Sequence, residues 1–216
     1  MTDARRSALG VRNAGPEGLT PNAQDLTPSL IVVGCSLGGM YALEAILKKL
    51  PADFCVPIAI AQHRHRRSNE SLPEFLRRAT HLNVVDVEDK QWIEAGNVYL
   101  APADYHLLVE KGEFNLSVDD VVRHSRPSVD VLFESAADAY GAGVIAIVLT
   151  GANDDGVGGA RRIKQRGGTV IAQDPKTAEA PSMPQTLIDA GVVDQILNLE
   201  GIAAFLAERC RLALTS

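Results

Sequence analysis

A strand–turn–helix junction near the start of the chain is the feature that most constrains its fold. Residues 30–33 form a continuous apolar run, and apolar residues then recur at helical spacing from Met40 to Leu50. Between them, residues 34–39 read Gly-Cys-Ser-Leu-Gly-Gly, and glycines allow the backbone to turn sharply. The junction therefore predicts that Ser36 lies on a tight turn, at the positive N-terminal end of the following helix.

Apolar strands and amphipathic helices alternate from this junction to the C-terminus. Residues 144–149 are apolar throughout, as is typical of a strand buried on both faces of a parallel sheet. A β-rich section at 83–118 contains two strands joined by residues 111–113, which predicts an inserted β-hairpin. The chain is therefore predicted to be an α/β protein with an open, mostly parallel, doubly wound sheet and helices on both faces.

Composition limits the classes of protein that this chain can represent. Its 216 residues are 46% hydrophobic, which suits one α/β domain at 29–216. Residues 1–28, rich in Gly and Pro, predict a flexible N-terminal arm. The net charge of −6 argues against nucleic acid or an anionic membrane as a partner.

Cysteine usage and apolar run lengths add further limits. Cys35, Cys55 and Cys210 form no CxxC pair, which argues against a disulfide frame and a zinc site, so neither metal nor cofactor is expected. Without a signal sequence or an apolar run long enough to cross a bilayer, we expect a cytoplasmic protein that does not insert into membranes.

Three predicted loops carry chemistry at the ends of strands. Ser36 follows the first strand, His63 follows the second, and the acidic pair Asp154 and Asp155 follows the buried strand. Because parallel strands end at one edge of a sheet, these groups are predicted to converge. A serine nucleophile, a histidine base and an orienting carboxylate make up a serine hydrolase site. Backbone N–H groups after Ser36 and around Ala152 are candidates to bind the oxyanion.

Other interpretations of these residues remain open at this point. Ser36 could cap the following helix, and His65 could replace His63 as the base. The glycines could form a nucleotide-binding loop, but the second strand ends in Ala61-Gln62-His63 without the acidic residue that would hold a ribose, and no Gly-Lys-Ser/Thr is present.

Several motifs together resemble one family. Residues 34–39, the pair Gln62-His63 and residues 149–156 (Leu-Thr-Gly-Ala-Asn-Asp-Asp-Gly) resemble the motifs of chemotaxis protein-glutamate methylesterases, the CheB family catalytic domain. Residues 124–133 are similar to the family's "RPSVD" helix start. Further matches lie at 99–102 with His106, at 172–174 and at 182–184, so the resemblance covers about residues 29–212.

The resemblance implies a fold, a reaction and a set of site residues. It implies a three-layer α/β/α sandwich that hydrolyses glutamate γ-methyl esters on chemoreceptor signalling helices, and many members also deamidate glutamine there. The family's catalytic residues fall on Ser36, His63 and Asp155, with Asp154 where the family usually has asparagine. Its backbone oxyanion donor falls on Ala152, and the N–H of Leu37 is the other candidate.

Departures from the family pattern bear on substrate fit and on regulation. Leu37 stands where the family often has threonine or a small residue. Residues 1–28 are too short and too polar to form the family's usual N-terminal phospho-receiver domain, so we expect no control by phosphorylation within this chain, and a separate response-regulator protein is the candidate regulator. Arg64, Arg66 and Arg67 are predicted to dock the methylated receptor helix by charge steering, with a solvated basic face as the alternative.

A catalytically silent adaptor of the same fold is the alternative function.

Overall fold

The computed structural model describes residues 29–63 and 71–215. The predicted N-terminal arm at 1–28 and the predicted docking residues Arg64, Arg66 and Arg67 lie outside the described residues. None of the described helices is both long and apolar enough to cross a membrane.

Nine strands are described, and seven of them form one parallel sheet. In chain order the strands are Leu30–Cys35 (β1), Ile58–Gln62 (β2), Asn83–Asp86 (β3), Asn97–Leu100 (β4), His106–Glu110 (β5), Glu113–Ser117 (β6), Val144–Val148 (β7), Thr169–Gln173 (β8) and Gln195–Leu197 (β9). The sheet order is β3-β4-β2-β1-β7-β8-β9, and β5 and β6 form a separate antiparallel hairpin. The predicted parallel sheet and inserted hairpin are confirmed. Two strands of the β-rich section, β3 and β4, join the parallel sheet itself.

Helices cover both faces of this sheet, as predicted. The α-helices are Gly39–Leu47 (α1), Leu72–Arg77 (α2), Val129–Tyr140 (α3), Val157–Gln165 (α4), Ser182–Asp189 (α5) and Leu199–Thr215 (α6). Side chains alternate along each strand, so Ile31 and Val33 of β1 pack in a core with α1, α2 and α6. Leu30 and Val32 pack in a second core with α3, α4, α5 and the hairpin. The result is the three-layer α/β/α arrangement.

One close contact places the start of α3 against the end of β1. Gly34 faces Val129, and a Cβ atom on Gly34 would lie 2.3 Å from Val129 Cγ1. Only a residue without a side chain permits this approach. Ser128 begins α3 by accepting a hydrogen bond from Val131 N at 3.5 Å. The first turn of α3, with its free N–H groups, therefore lies beside the edge of the sheet where the predicted site converges.

We expect Gly34→Ala to destabilise the fold by about 1–3 kcal/mol, because the new methyl group overlaps Val129. Val129→Ala in the same chain removes the obstacle and should recover part of that loss. Urea unfolding of both single variants and the double variant measures the coupling between the two positions. Strictly additive effects would show that the overlap is not the cause.

Candidate active site

Ser36 lies on the turn between β1 and α1. Its N–H donates to Thr150 O at 3.0 Å, and its carbonyl accepts from Gly39 N at 2.9 Å, so the turn is fixed on both sides. Gly38 adopts a φ of 79°, a left-handed conformation that favours glycine. The Ser36 side chain lines a cavity, and its hydroxyl has no hydrogen-bond partner among the described residues. The hydroxyl is thus available to a molecule that enters this cavity.

Gln62 and Cys35 stabilise the Ser36 turn through side-chain hydrogen bonds. Gln62 Nε2 donates to Ser36 O at 2.8 Å, and Gln62 Oε1 accepts from Cys35 Sγ, also at 2.8 Å. Complete burial raises the pKa of the Cys35 thiol far above its usual range. Cys35 therefore stays protonated and supports Gln62, and it is not a second nucleophile beside Ser36.

The His63 ring is held at both of its nitrogens. Its Nε2 lies 2.8 Å from Asp155 Oδ2, and its Nδ1 lies 3.1 Å from the amide nitrogen of Asn153. Asn153 Oδ1 accepts from Asp155 N at 3.3 Å, which orients the amide with its nitrogen towards the ring. Because the carboxylate only accepts, the neutral ring carries its proton on Nε2 and presents the Nδ1 lone pair to Asn153.

Asp155 is a fully buried carboxylate at the N-terminus of α3. Its oxygens accept from Val129 N at 2.7 Å, Asp130 N at 2.9 Å and Ser128 Oγ at 3.0 Å, in addition to His63. Burial by itself raises the pKa of Asp155, but the hydrogen bonds from His63 and from the two backbone N–H groups outweigh it, and the net pKa is lowered. Asp155 is therefore ionised at neutral pH.

Asp154 occupies a different environment from its neighbour. It is exposed and forms an ion pair with Arg123, whose Nε also donates to Asp130 Oδ2 at 2.9 Å. Of the two adjacent carboxylates, Asp155 contacts His63 and Asp154 does not. Asp154 instead fixes the segment that forms the opposite wall of the cavity.

That wall contains a strained turn. Val122 and Ser125 exchange backbone hydrogen bonds of 3.2 and 2.8 Å, and the residues between them, Arg123 and His124, have φ values of 47° and 63°. Two successive left-handed residues form a type I′ turn, which usually contains Asn-Gly. Neither residue is a glycine, so the left-handed backbone is strained. The ion pairs of Arg123 with Asp130 and Asp154 offset this strain.

His106 anchors the base of the same wall. It is buried, with its Nδ1 accepting from Ser128 N at 3.2 Å and its Nε2 bonded to Asp120 O at 3.0 Å. It is not among the residues that line the cavity. His106 instead joins the loop above the site to the residue that caps α3.

The cavity between these walls has a volume of about 590 Å³. Ser36, His63 and Asn153 line it, together with two apolar residues that are more than half exposed, Leu37 and Val121. The N–H groups of Leu37 and Ala152 donate to no acceptor in the described part of the chain. Two free backbone donors on the loops that flank a serine are suited to binding an oxyanion.

The sequence did not single out every residue of the site. Asn153 lies within the motif at 149–156 but was given no role, because an asparagine in a loop is commonplace. Ser128 was visible as part of a helix start, which is a recognisable pattern, but its contact with Asp155 depends on the packing of α3. No cluster of three or more potential metal ligands occurs within residues 29–63 and 71–215.

Comparisons with known proteins assign the chain to a family. A model of the CheB methylesterase family matches residues 31–206. The chain belongs to the CheB methylesterase family. The solved CheB methylesterase catalytic domain of Thermotoga maritima has 36% sequence identity and a TM-score of 0.80, covering 85% of this chain and 99% of that one. The resemblance in the sequence motifs is thereby confirmed.

Individual CheB relatives differ in how much of their length the chain spans. A Leptospira interrogans protein is 45% identical over 174 residues, which is 80% of this chain and 90% of the relative. Protein-glutamate methylesterase/protein-glutamine glutaminase 1 of Saccharophagus degradans is 36% identical over 209 residues, 92% of this chain but 57% of the relative. The chain thus corresponds to part of the longer relatives.

We expect Asp155→Asn to lower the free energy of unfolding at pH 7 by about 2 kcal/mol, because hydrogen bonds to a charged acceptor are lost. The pKa of Asp155 is lowered in the folded state, so its stabilisation is full above the ordinary carboxyl pKa and disappears as the pH falls through the folded pKa. The difference from the parent protein should therefore shrink below about pH 4. Denaturant unfolding at several pH values measures it.

Asp154→Asn is the matched control for this variant. It removes only an exposed ion pair, so its cost should stay below about 1 kcal/mol. An equal loss of stability in both variants would contradict the distinction between the two carboxylates.

Proposed function

We propose that this chain is an esterase that hydrolyses glutamate γ-methyl esters of chemoreceptors, with Ser36 as nucleophile, His63 as base and Asp155 as orienting acid. The observation that carries the proposal is the ionised, buried Asp155 bonded to a histidine beside a serine with a free hydroxyl. Membership of the CheB methylesterase family supports the ester substrate. The names of its relatives add a second activity, glutamine deamidation.

In the proposed reaction, Ser36 Oγ attacks the ester carbonyl while its proton passes to His63. Since Nε2 is occupied by Asp155, the proton goes to Nδ1, and the imidazolium that forms is stabilised by the Asp155 carboxylate. The same Nδ1 proton then protonates the leaving methoxide, so methanol departs. His63 next takes a proton from the water that attacks the acyl-enzyme, and returns this proton to Ser36 Oγ as glutamate is released.

Asn153 must move before this proton transfer can begin. The Nδ1 atom of His63 has one lone pair, and in this structure the Asn153 amide donates to it at 3.1 Å. Ser36 can bond to Nδ1 only when that amide withdraws. Asn153 therefore restrains the base of the resting enzyme, and substrate entry into the cavity is the event that displaces it.

The N–H groups of Leu37 and Ala152 are the proposed oxyanion donors. Leu37 follows β1 and Ala152 follows β7, on the two loops that meet at Ser36, and neither N–H has an acceptor among the described residues. A carboxamide has the same planar carbonyl as an ester, so the same donors serve a glutamine side chain, with ammonia as the leaving group in place of methanol.

The proposed partners are methylated chemoreceptor helices, and a separate response regulator is the candidate for control. Docking by Arg64, Arg66 and Arg67 stays a prediction, because these residues lie outside the described part of the chain. The alternative, a catalytically silent adaptor, would bind the receptor without turnover. Methanol release from a methylated receptor separates the two functions.

We expect Ser36→Ala and His63→Ala each to lower methanol release from a methylated receptor by at least about a thousandfold, because the nucleophile or its base is lost. Combining the two variants should cost little more than either one, since the groups act as a unit. His81→Ala, which removes an exposed histidine away from the cavity, is the matched control and should keep the parent rate. Parent rates in both single variants would refute the proposed triad.

We expect Asn153→Ala to raise the acylation rate by about fivefold, since one neutral hydrogen bond of about 1 kcal/mol no longer occupies the base. Asn153→Asp should lower it, because a carboxylate next to Nδ1 favours a proton on that atom and removes the lone pair. Single-turnover kinetics with a small chromogenic ester measures acylation directly. A tenfold loss in Asn153→Ala would instead assign the amide to substrate binding.

A further inference from the structure

Two cysteines outside the candidate active site lie in contact. Cys55 belongs to the segment between α1 and β2, and Cys210 belongs to α6, 155 positions further along the chain. Their sulfur atoms are 2.8 Å apart, and the Cys55 N–H donates to Cys210 Sγ at 3.0 Å. A disulfide bond is about 2.05 Å long, so the two sulfurs need to approach by less than about 1 Å.

The two thiols differ in their access to solvent. Cys55 is half-buried, whereas Cys210 is 2% exposed on the inner side of α6. A small oxidant can therefore reach Cys55 first, with Cys210 already in contact to react with the oxidised sulfur.

We propose that Cys55 and Cys210 are a redox modification site that forms a reversible intramolecular disulfide. The pair is independent of the proposed esterase chemistry. Cys55 precedes β2 at the amino end of the parallel strands, while Ser36 and His63 follow the carboxyl ends of β1 and β2. The third cysteine, Cys35, lies within the site, donates its hydrogen to Gln62 and takes no part.

The oxidant class is a hydroperoxide. The Cys55 thiolate attacks one peroxide oxygen, the O–O bond breaks, and Cys55 becomes a sulfenic acid as hydrogen peroxide yields one water. Cys210 sulfur then attacks Cys55 sulfur, the S–O bond breaks, and hydroxide leaves with the Cys210 proton as a second water. Two thiols lose two electrons in total, and one peroxide gains them.

The rate of this oxidation depends on pH in a defined direction. Burial, followed by the hydrogen bond with Cys210, raises the pKa of Cys55 to about 11. Cys55 is therefore mostly a thiol at neutral pH, and the thiolate that attacks peroxide becomes more abundant as the pH rises. Disulfide formation should be slow at pH 7 and increase steadily towards pH 10.

The disulfide would connect α6 to the chain that enters β2. Cross-linking positions this far apart in sequence restricts the unfolded chain strongly, so the oxidised protein should unfold at a higher temperature. The sheet edge that carries Ser36 should be unaffected, because the cross-link joins sulfurs that are already in contact. Oxidation thus changes stability and leaves esterase turnover unchanged.

The test is to treat the full chain with hydrogen peroxide and to count thiols after denaturation. We expect the count to fall from three to one, the intact mass to fall by two hydrogens, and a peptide map to link Cys55 with Cys210. The melting temperature should rise by several degrees and return to its starting value with dithiothreitol. Cys55→Ala and Cys210→Ser, each a separate control, should show no such rise.

Three outcomes would overturn the proposal: three remaining thiols at pH 9, a link that includes Cys35 or a second molecule, or a Cys55 oxidised further with no bond to Cys210. Methanol release, assayed on the same samples, reports separately on the proposed esterase. If the parent protein had no esterase activity, the thiol count and the melting temperature would still test the disulfide.

Discussion

The candidate site depends on a negative charge buried at the start of a helix. Taking a carboxylate out of water is unfavourable unless its oxygens are fully bonded, and Asp155 receives four hydrogen bonds, from His63, Ser128, Val129 and Asp130. Three of these donors belong to the cap and the first turn of α3, where the helix dipole also favours an anion. The orientation of His63 therefore rests on the position of α3, and the position of α3 rests on the sheet.

The same arrangement explains why two adjacent aspartates have different environments. Asp155 faces the helix and is enclosed, while Asp154 faces outward and pairs with Arg123 across the loop. Of these two adjacent residues, Asp155 is a buried charge that orients His63, and Asp154 is an exposed charge that fixes the cavity wall. Because Arg123 also bonds to Asp130, the wall and the first turn of α3 are tied together.

Much of this arrangement could be predicted from the sequence. Apolar runs and helical spacing predicted the parallel sheet, and the rule that strands end at one edge predicted that Ser36, His63 and an aspartate would converge. Strand order could not choose between Asp154 and Asp155, since both follow the same strand, and only the family resemblance favoured Asp155. Packing makes the choice, because only Asp155 reaches the N–H groups of α3.

The contacts that the sequence did not predict are those that depend on side-chain direction. Asn153 bonds to both His63 and Asp155 through the two ends of one amide, and loop composition does not encode that direction. His106 was visible as part of a motif match, but its burial beneath the loop at 119–127 follows from the tertiary position of that loop.

The close approach of Gly34 and Val129 has a consequence for how this sequence can change. A side chain at position 34 is compatible with the fold only if residue 129 is smaller than valine, because the new Cβ atom would lie 2.3 Å from Val129 Cγ1. Substitutions at these two positions, 95 residues apart in sequence, therefore constrain each other. A side chain gained at position 34 alone would push α3 outward and weaken the hydrogen bonds from α3 to Asp155.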